Sequence, residues 1–340
     1  MSFSEQPCIS IDGKKIGSNF DPYFIAEAGL NHNGDINLAK KMIDAALDCG
    51  ADAIKFQTYI SENFLTLSSE YFKFFKDVEL KPNEFKELHD HAKERGITFF
   101  SAPFDIESAN NLKQIEIPCF KIASSDLTNF PLIKHIAKMQ KPMIISTGIG
   151  TLQEIQDALD ICKSVDNGNV ALLHSVANYP TQLDETNLAA IKILRDRFNV
   201  PVGYSDNGES SLVDIVAVSL GASIIEKHFT LDKNLFGPDH IFSIEPNNLK
   251  NLIHKLKLIK KIKGISKKEP QPSELTNMKS IRKCIVAASN LIEGEIITSS
   301  KLAIKRPQSG IEPKFFDEII GKKINKNIDK DSPIQWNDLI

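Results

Sequence analysis

Phe24-Ile-Ala-Glu-Ala-Gly-Leu-Asn-His-Asn-Gly34 and, downstream, Ile54-Lys-Phe-Gln-Thr58 decide the fold. Each begins as an apolar run that reads as a buried strand and ends in polar groups that a buried strand should not contain. Glu27, Lys55 and Gln57 stand where these two strands stop. An unpartnered buried charge is costly, so a chain that repeatedly ends apolar strands in charges is lining a polar pocket.

The pattern recurs along the chain. Phe99 to Phe104 ends a third apolar run. Cys119 to Asp126 ends a fourth, with Lys121, Ser124 and Asp126. Met143 to Gly148 supplies Ser146, and Val170 to Ser175 leads to Asn178 and Tyr179. Val202 to Asn207 supplies Ser205, Asp206 and Asn207, and Ile224 to His228 supplies Glu226 and His228. Between these eight runs lie segments of helical spacing, beginning with Leu38, Met42, Ala45 and Ala46 in Asn37 to Cys49. The others are 83–95, 106–114, 131–139, 152–164, 188–198, 212–220 and 247–262. Eight strand–helix alternations over roughly 240 residues predict an α/β fold, a (β/α)8 TIM barrel with its chemistry at the C-terminal ends of the strands. No G-x-G-x-x-G turn follows the first strand, which removes support for a dinucleotide fold.

The composition fits a globular protein: 340 residues, 41% hydrophobic and 25% charged. A net charge of −3 offers no electrostatic attraction for nucleic acid. Lys255 to Lys268 reads as a solvated helix face and its exit. The five scattered cysteines read as free thiols of a cytoplasmic protein, and no signal peptide or spanning segment is read. Composition changes near Gly264, dividing the chain into a barrel over 1–262, a polar linker over 263–280 and a small globular tail over 281–340. The long segment from Ser61 to Leu80 reads as a lid.

Lys55 and Lys121, with Ser124, Ser146 and Ser205 on neighbouring strand ends, describe an anion site. His228, with Asp206, Asn207, Asp126 and His32 as candidates beside it, has the donor types of an open Mn²⁺ or Mg²⁺ site. Glu27 beside the lysines is expected to stay ionised and to act on a water or a hydroxyl. His174, ending the sixth strand, is a candidate to face the pocket. A Schiff-base aldolase and a non-catalytic sugar- or anion-binding protein are alternative readings of the same residues.

Ala26-Glu-Ala-Gly-Leu-Asn-His-Asn-Gly34, Lys55-Phe-Gln-Thr58, Phe120-Lys-Ile-Ala-Ser124, Ile145-Ser-Thr-Gly148, Glu226-Lys-His-Phe-Thr230 and Gly237-Pro-Asp-His240 closely resemble the sialic acid synthase family. The tail, with Ile292-Glu-Gly-Glu295 and Lys305-Arg-Pro307, resembles that family's C-terminal antifreeze-like (SAF) domain. The resemblance implies condensation of phosphoenolpyruvate with an N-acetylated sugar aldehyde to a nine-carbon 2-keto acid. A phosphosugar acceptor is the alternative. It implies that Lys55, Lys121, Ser124, Ser146 and Ser205 hold phosphoenolpyruvate, that Gln57, Tyr179 and Asp239 contact the sugar, and that Glu27 manages the attacking water. It further implies a metal on His228 and a domain-exchanged homodimer in which Arg306 reaches the partner's barrel. The chain departs from the family in carrying Asn207 where a metal-binding His is common, and Asp126 where Glu is common. The Glu27-Ala-Gly29 start and Lys55-Phe-Gln-Thr58 resemble the legionaminic branch.

Overall fold

A computed structural model describes residues 6–265 and 267–340. It divides into two compact units, 1–264 and 265–340. The first is a closed barrel. An antiparallel hairpin, β1 (Cys8–Ile11) and β2 (Lys14–Gly17), precedes it and escaped the sequence reading. Its Ile9, Ile11 and Ile16 are buried. Lys14 pairs with Asp52, and Thr98 Oγ1 donates to Asp12 (3.1 Å), so the hairpin covers the N-terminal end of the barrel.

The barrel strands are β3 (Tyr23–Gly29), β4 (Ala53–Thr58), β5 (Thr98–Pro103), β6 (Phe120–Ile122), β7 (Met143–Ser146), β8 (Val170–Ser175), β9 (Val202–Asp206) and β10 (Ile224–His228). They run parallel in sequence order and close by pairing β10 with β3. Nearly every strand residue is buried, because side chains face either the barrel interior or the surrounding helices. The helices fall within a few residues of the predicted segments: α1 (Ile36–Cys49), α4 (Pro82–Arg95), α5 (Ile106–Gln114), α6 (Phe130–Ala137), α7 (Leu152–Lys163), α8 (Ala190–Phe198), α9 (Ser211–Ser219) and α10 (Pro246–Lys263). Asp35 caps α1 by accepting from the Asn37 amide, and Thr151 and Glu154 form a capping box on α7.

The predicted lid is ordered. It carries α2 (Ser61–Phe64) and α3 (Phe72–Val78), and Tyr59, Phe64, Phe74, Phe75 and Phe104 pack together against Leu30 and Val78. No described helix is long and apolar enough to cross a membrane.

The second unit has its own core of Ile285, Leu291, Ile297, Ile311, Ile324 and Ile334 around a two-stranded sheet, β11 (Cys284–Ala287) and β12 (Leu302–Lys305). The stretch expected to be linker contains α11 (Pro272–Ile281). Pro272 in its first turn and the Glu274 carboxylate accepting from the Gln271 amide start a helix there, although none of its residues is buried.

Candidate functional site

Alternation along the strands decides which polar groups enter the barrel. Glu27 and Lys55 are register partners on β3 and β4, and Lys55 Nζ lies 2.7 Å from Glu27 Oε2. Gln57 Nε2 donates to Glu27 Oε1 at 3.0 Å. From β10, Glu226 places Oε1 3.6 Å from both Lys55 Nζ and Lys121 Nζ and accepts from Ser205 Oγ at 3.0 Å. Lys121 Nζ also donates to Ser146 Oγ (2.6 Å) and to the Ile122 carbonyl (3.2 Å). One connected network thus joins β3, β4, β6, β7, β9 and β10, with every charged member buried.

Ser124 enters from the turn after β6. Its Oγ accepts from the Gly148 amide at 3.1 Å. A side chain at Gly148 would stand 2.7 Å from that oxygen, so glycine is what lets the β7 loop close over Ser124. Two ammonium groups, three hydroxyls and a backbone N–H therefore gather along β4, β6, β7 and β9, an arrangement suited to phosphate and carboxylate oxygens.

The electrostatics divide the four charges. Burial tends to lower both lysines. For Lys55 the carboxylates of Glu226 and Glu27 outweigh it and the pKa is raised. Lys121 is pulled down to about 8 by burial, with Lys55 adding repulsion and Glu226 opposing. Glu226 is held below the usual carboxylate range: burial would raise it, but Lys121 and Lys55 prevail. Glu27 goes the other way, raised by burial and by the Glu226 charge against the pull of Lys55. Of the two carboxylates, Glu226 is the one the lysines hold down, while Glu27 is shifted upward. The sequence places Glu226 at a strand end without assigning it a role; its place in the Glu226-Lys-His run is the available signal.

A second cluster adjoins the first across a bulge in β3. Register slips between Glu27 and Gly29, and Gly29 takes φ +52°. Around the position where a Cβ would stand lie Asp239 Oδ2 (3.4 Å), Glu27 Oε1 (3.5 Å) and His228 Nδ1 (3.6 Å). His228 Nδ1 is buried without a hydrogen-bond partner, 3.9 Å from Asp239 Oδ2. Burial lowers the His228 pKa despite Asp239, leaving a neutral imidazole. Tyr179 meets that ring edge-on at 5.9 Å, and Phe242 packs beside it at 5.1 Å. An orphaned neutral imidazole nitrogen facing a carboxylate fits an oxygen-loving divalent ion with open positions. Among the described residues no three His, Cys, Asp or Glu side chains form a closed ligand group.

Other predicted ligands are engaged elsewhere. Asn207 Nδ2 donates to the Val176 carbonyl at 2.7 Å, and Asp126 accepts from Asn129 (2.9 Å) and Ser125 (3.3 Å). His32 Nδ1 accepts from the Gly34 amide, and burial lowers its pKa to about 4. Asp206 points outward, because its register partner is Lys227, which alternates with inward-facing Glu226 and His228. It pairs there with Lys227, which also lies 3.2 Å from Asp214 on α9. His174 likewise turns outward, its Nε2 donating to the Thr186 carbonyl (2.9 Å) and its ring packing on Tyr204. Arg306 lies in the second unit just after β12 and is exposed.

Comparison with known proteins agrees with this construction. Residues 42–268 match the model of the NeuB family, and residues 282–340 match that of the SAF domain. An uncharacterized protein of Methanocaldococcus jannaschii is 43% identical, with 98% of each chain covered. The N,N'-diacetyllegionaminic acid synthase of Campylobacter jejuni is 41% identical over 92% of this chain and 98% of its own. Among solved structures, the N-acetylneuraminic acid (sialic acid) synthetase of Leptospira borgpetersenii, crystallised with citrate, aligns with a TM-score of 0.77 and 40% identity. That alignment covers 80% of this chain and 95% of the other.

Proposed function

This chain belongs to the NeuB family, and from that premise we propose that it condenses phosphoenolpyruvate with the open-chain aldehyde of an N-acetylated hexose, giving a nine-carbon 2-keto acid and inorganic phosphate. The observation that carries the reading is the convergence of Lys55, Lys121 and Ser205 on one buried carboxylate, Glu226, with Ser146 bound to Lys121 beside it.

Lys121, Ser146, Ser124 and the Gly148 amide hold the phosphate oxygens, and Lys55 and Ser205 hold the carboxylate end. With the enol phosphate fixed, its methylene carbon faces the aldehyde carbon. Gln57, Asp239 and Tyr179 orient the sugar. Glu27 takes a proton from the water that adds to C2. Burial and the Glu226 charge raise its proton affinity, which suits a group that takes a proton and returns it to the alkoxide left when the methylene carbon bonds to the aldehyde carbon. Loss of phosphate from the resulting C2 adduct leaves the keto acid.

A divalent ion, Mn²⁺ or Mg²⁺, would be held at His228 with Asp239 facing it, Asn207 and Asp126 being the other candidates, and would polarise the aldehyde oxygen as a Lewis acid. A chelated preparation is expected to lose phosphate release and to regain it with either ion. Full turnover by metal-free protein would overturn the metal requirement. The proposal includes a domain-exchanged homodimer in which Arg306 serves the partner's barrel, where its planar fork can hold an acyl carbonyl. Mixing inactive Glu27→Gln and Arg306→Ala subunits is expected to restore part of the activity. No recovery after proven exchange would exclude sharing.

A further inference from the structure

The turn after β3 reaches across to the loop after β10. Over 28–35 the backbone closes on itself: the amides of Asn31 and Asn33 donate to the carbonyls of Ala28 and Leu30 at 2.9 Å, and that of Asp35 to His32 at 2.8 Å. The side chains of Asn31 and Asn33 are left to bond elsewhere, and both reach the 229–245 loop. Asn31 Nδ2 donates to the Phe229 carbonyl and to Ser243 Oγ, each at 2.9 Å. Asn33 Nδ2 donates to the Phe236 carbonyl at 2.7 Å. The two contacts differ in depth. Asn31 and Ser243 are 2% and 0% exposed, whereas Phe236 stands 84% exposed on the outer arc of the loop.

Proton counting fixes the direction of the deep contact. A carbonyl only accepts, so Ser243 Oγ gives its one hydrogen to the Asp239 carbonyl, 2.6 Å away. The hydroxyl can then only accept from position 31, as must the Phe229 carbonyl. An amide satisfies both, and a carboxylate in its place would satisfy neither. The Ser243 amide also donates to the His240 carbonyl (3.2 Å), which closes 239–243 into one turn. The next residue is stitched to the strand end, the Ile244 amide donating to the His228 carbonyl at 2.7 Å. Asp239 is therefore held through its backbone, and its carboxylate arrives 3.9 Å from His228 Nδ1. Both hydrogens of the Asn31 amide are spent on this brace, so none is left for a substrate.

We propose that Asn31 and Ser243 are positioning residues. Asn31, through the Ser243 hydroxyl, sets the Asp239 carboxylate opposite His228 and so builds the ion and acceptor pole of the pocket without touching either ligand. This rests on the reading that His228 and Asp239 serve a condensation of phosphoenolpyruvate with a sugar aldehyde. The anion pole, on Lys55 and Lys121, is built from other strands and does not depend on this brace.

Full-length Ser243→Ala tests the link, because it deletes a single oxygen from a buried site. In chelated protein titrated with Mn²⁺ and read by electron paramagnetic resonance, the variant is expected to bind the ion roughly tenfold more weakly. Phosphate release is followed with N-acetylmannosamine or a diacetamido-trideoxyhexose, whichever the wild type uses faster. The acceptor KM is expected to rise about fivefold or more, with the KM for phosphoenolpyruvate within about twofold of wild type. Asn31→Asp is expected to lose more than Ser243→Ala in the same two readouts. Asn33→Ala, which frees only the outer arc, is expected to change them by less than about twofold. A Ser243→Ala protein with lowered Tm but wild-type Mn²⁺ affinity and acceptor KM overturns the proposal and leaves the condensation reading intact. An equal loss in Asn33→Ala does the same, since the effect would then be general looseness of the loop. If the wild type turns over neither sugar, the condensation reading fails and Mn²⁺ affinity alone decides the positioning. Neither turnover nor Mn²⁺ binding in the folded wild type overturns both.

Discussion

Two clusters of buried lysine and carboxylate sit back to back on the same strands. Inside the barrel, Lys55 and Lys121 share Glu226, and Glu27 completes the group. Outside it, between β9, β10 and α9, Lys227 is clamped by Asp206, by Asp214 and by the Gly208 carbonyl at 3.0 Å. Adjacent residues of β10 thus belong to different machines. The outer cluster ties the β9 exit to its strand: Asp206 also accepts from the Gly208 amide (2.8 Å) and the Tyr204 hydroxyl (3.4 Å). Its lysine is raised, since Asp214 and Asp206 outweigh burial. The inner cluster holds one lysine and one carboxyl pushed toward their neutral forms, Lys121 and Glu27. Burial of charge therefore does not itself mark a reactive site. Displaced proton affinity does not separate the two either, since Asp214 of the outer cluster is raised to about 8 by burial. What does is composition, the inner cluster gathering two lysines with Ser146 and Ser205 inside the barrel, the outer one tying a single lysine to the backbone of the β9 exit.

The sharpest break of this comparison is mutational. Lys55→Met and Lys121→Met each remove a charge-assisted contact worth roughly 1.5–3 kcal/mol. Each is expected to lower kcat/KM for phosphoenolpyruvate by tenfold or more, with little change in Tm. Steady-state kinetics beside calorimetry measures both, and unaltered kinetics would strip the inner cluster of its role.

Lys227→Met should do the reverse. It leaves two buried carboxylates without their cation, at about 3–5 kcal/mol. A fall of several degrees in Tm is expected, with the activity of the remaining folded protein much less affected. Adding Asp214→Leu should recover part of the loss. If Lys227→Met instead left Tm intact while abolishing turnover, the two clusters would be one.

Titration separates them more gently. Lys121 loses its charge near pH 8. Since an anion binds the protonated amine, kcat/KM for phosphoenolpyruvate should fall as pH rises through that value. Lys121→Arg keeps the charge and should remove the alkaline limb. The same depressed amine is what an imine-forming aldolase would use, so borohydride with pyruvate is a direct check; stable modification of Lys121 would favour that chemistry. The smallest effect belongs to Asn207→His. A new imidazole next to the site should shift preference from Mg²⁺ toward Mn²⁺ by a few-fold, read by Mn²⁺ electron paramagnetic resonance in competition with Mg²⁺. Identical curves would place Asn207 away from the ion.

The barrel was legible because its strands are short apolar runs ending in charge, spaced by helices with caps that the sequence advertises. Glu27 and Lys55 were legible as site residues for the same reason. The hairpin 8–17 was not: four-residue strands give too little periodicity to register. Nor was the side on which Asp206 and His174 fall, since period-two alternation needs a register, and register is set by the neighbouring strand. Glu226 passed without a role because its meaning lies in two lysines from distant strands. The helix 272–281 hid in polar composition, with only Pro272 and Glu274 to signal its start.

The placement of Glu226 has a consequence for ligand traffic. The pocket already contains its own counter-ion. Two ammonium groups facing Glu226 and Glu27 give a resting charge no higher than +1 if Glu27 is protonated, and zero if it is not. An enol phosphate carrying about three negative charges near neutrality therefore enters by ion exchange, not by filling a positive hole. Its affinity is a difference between two solvations of the same lysines. Small oxyanions that make fewer contacts should be poor substitutes, and added salt, which scarcely penetrates a buried pair, should slow arrival more than it weakens residence.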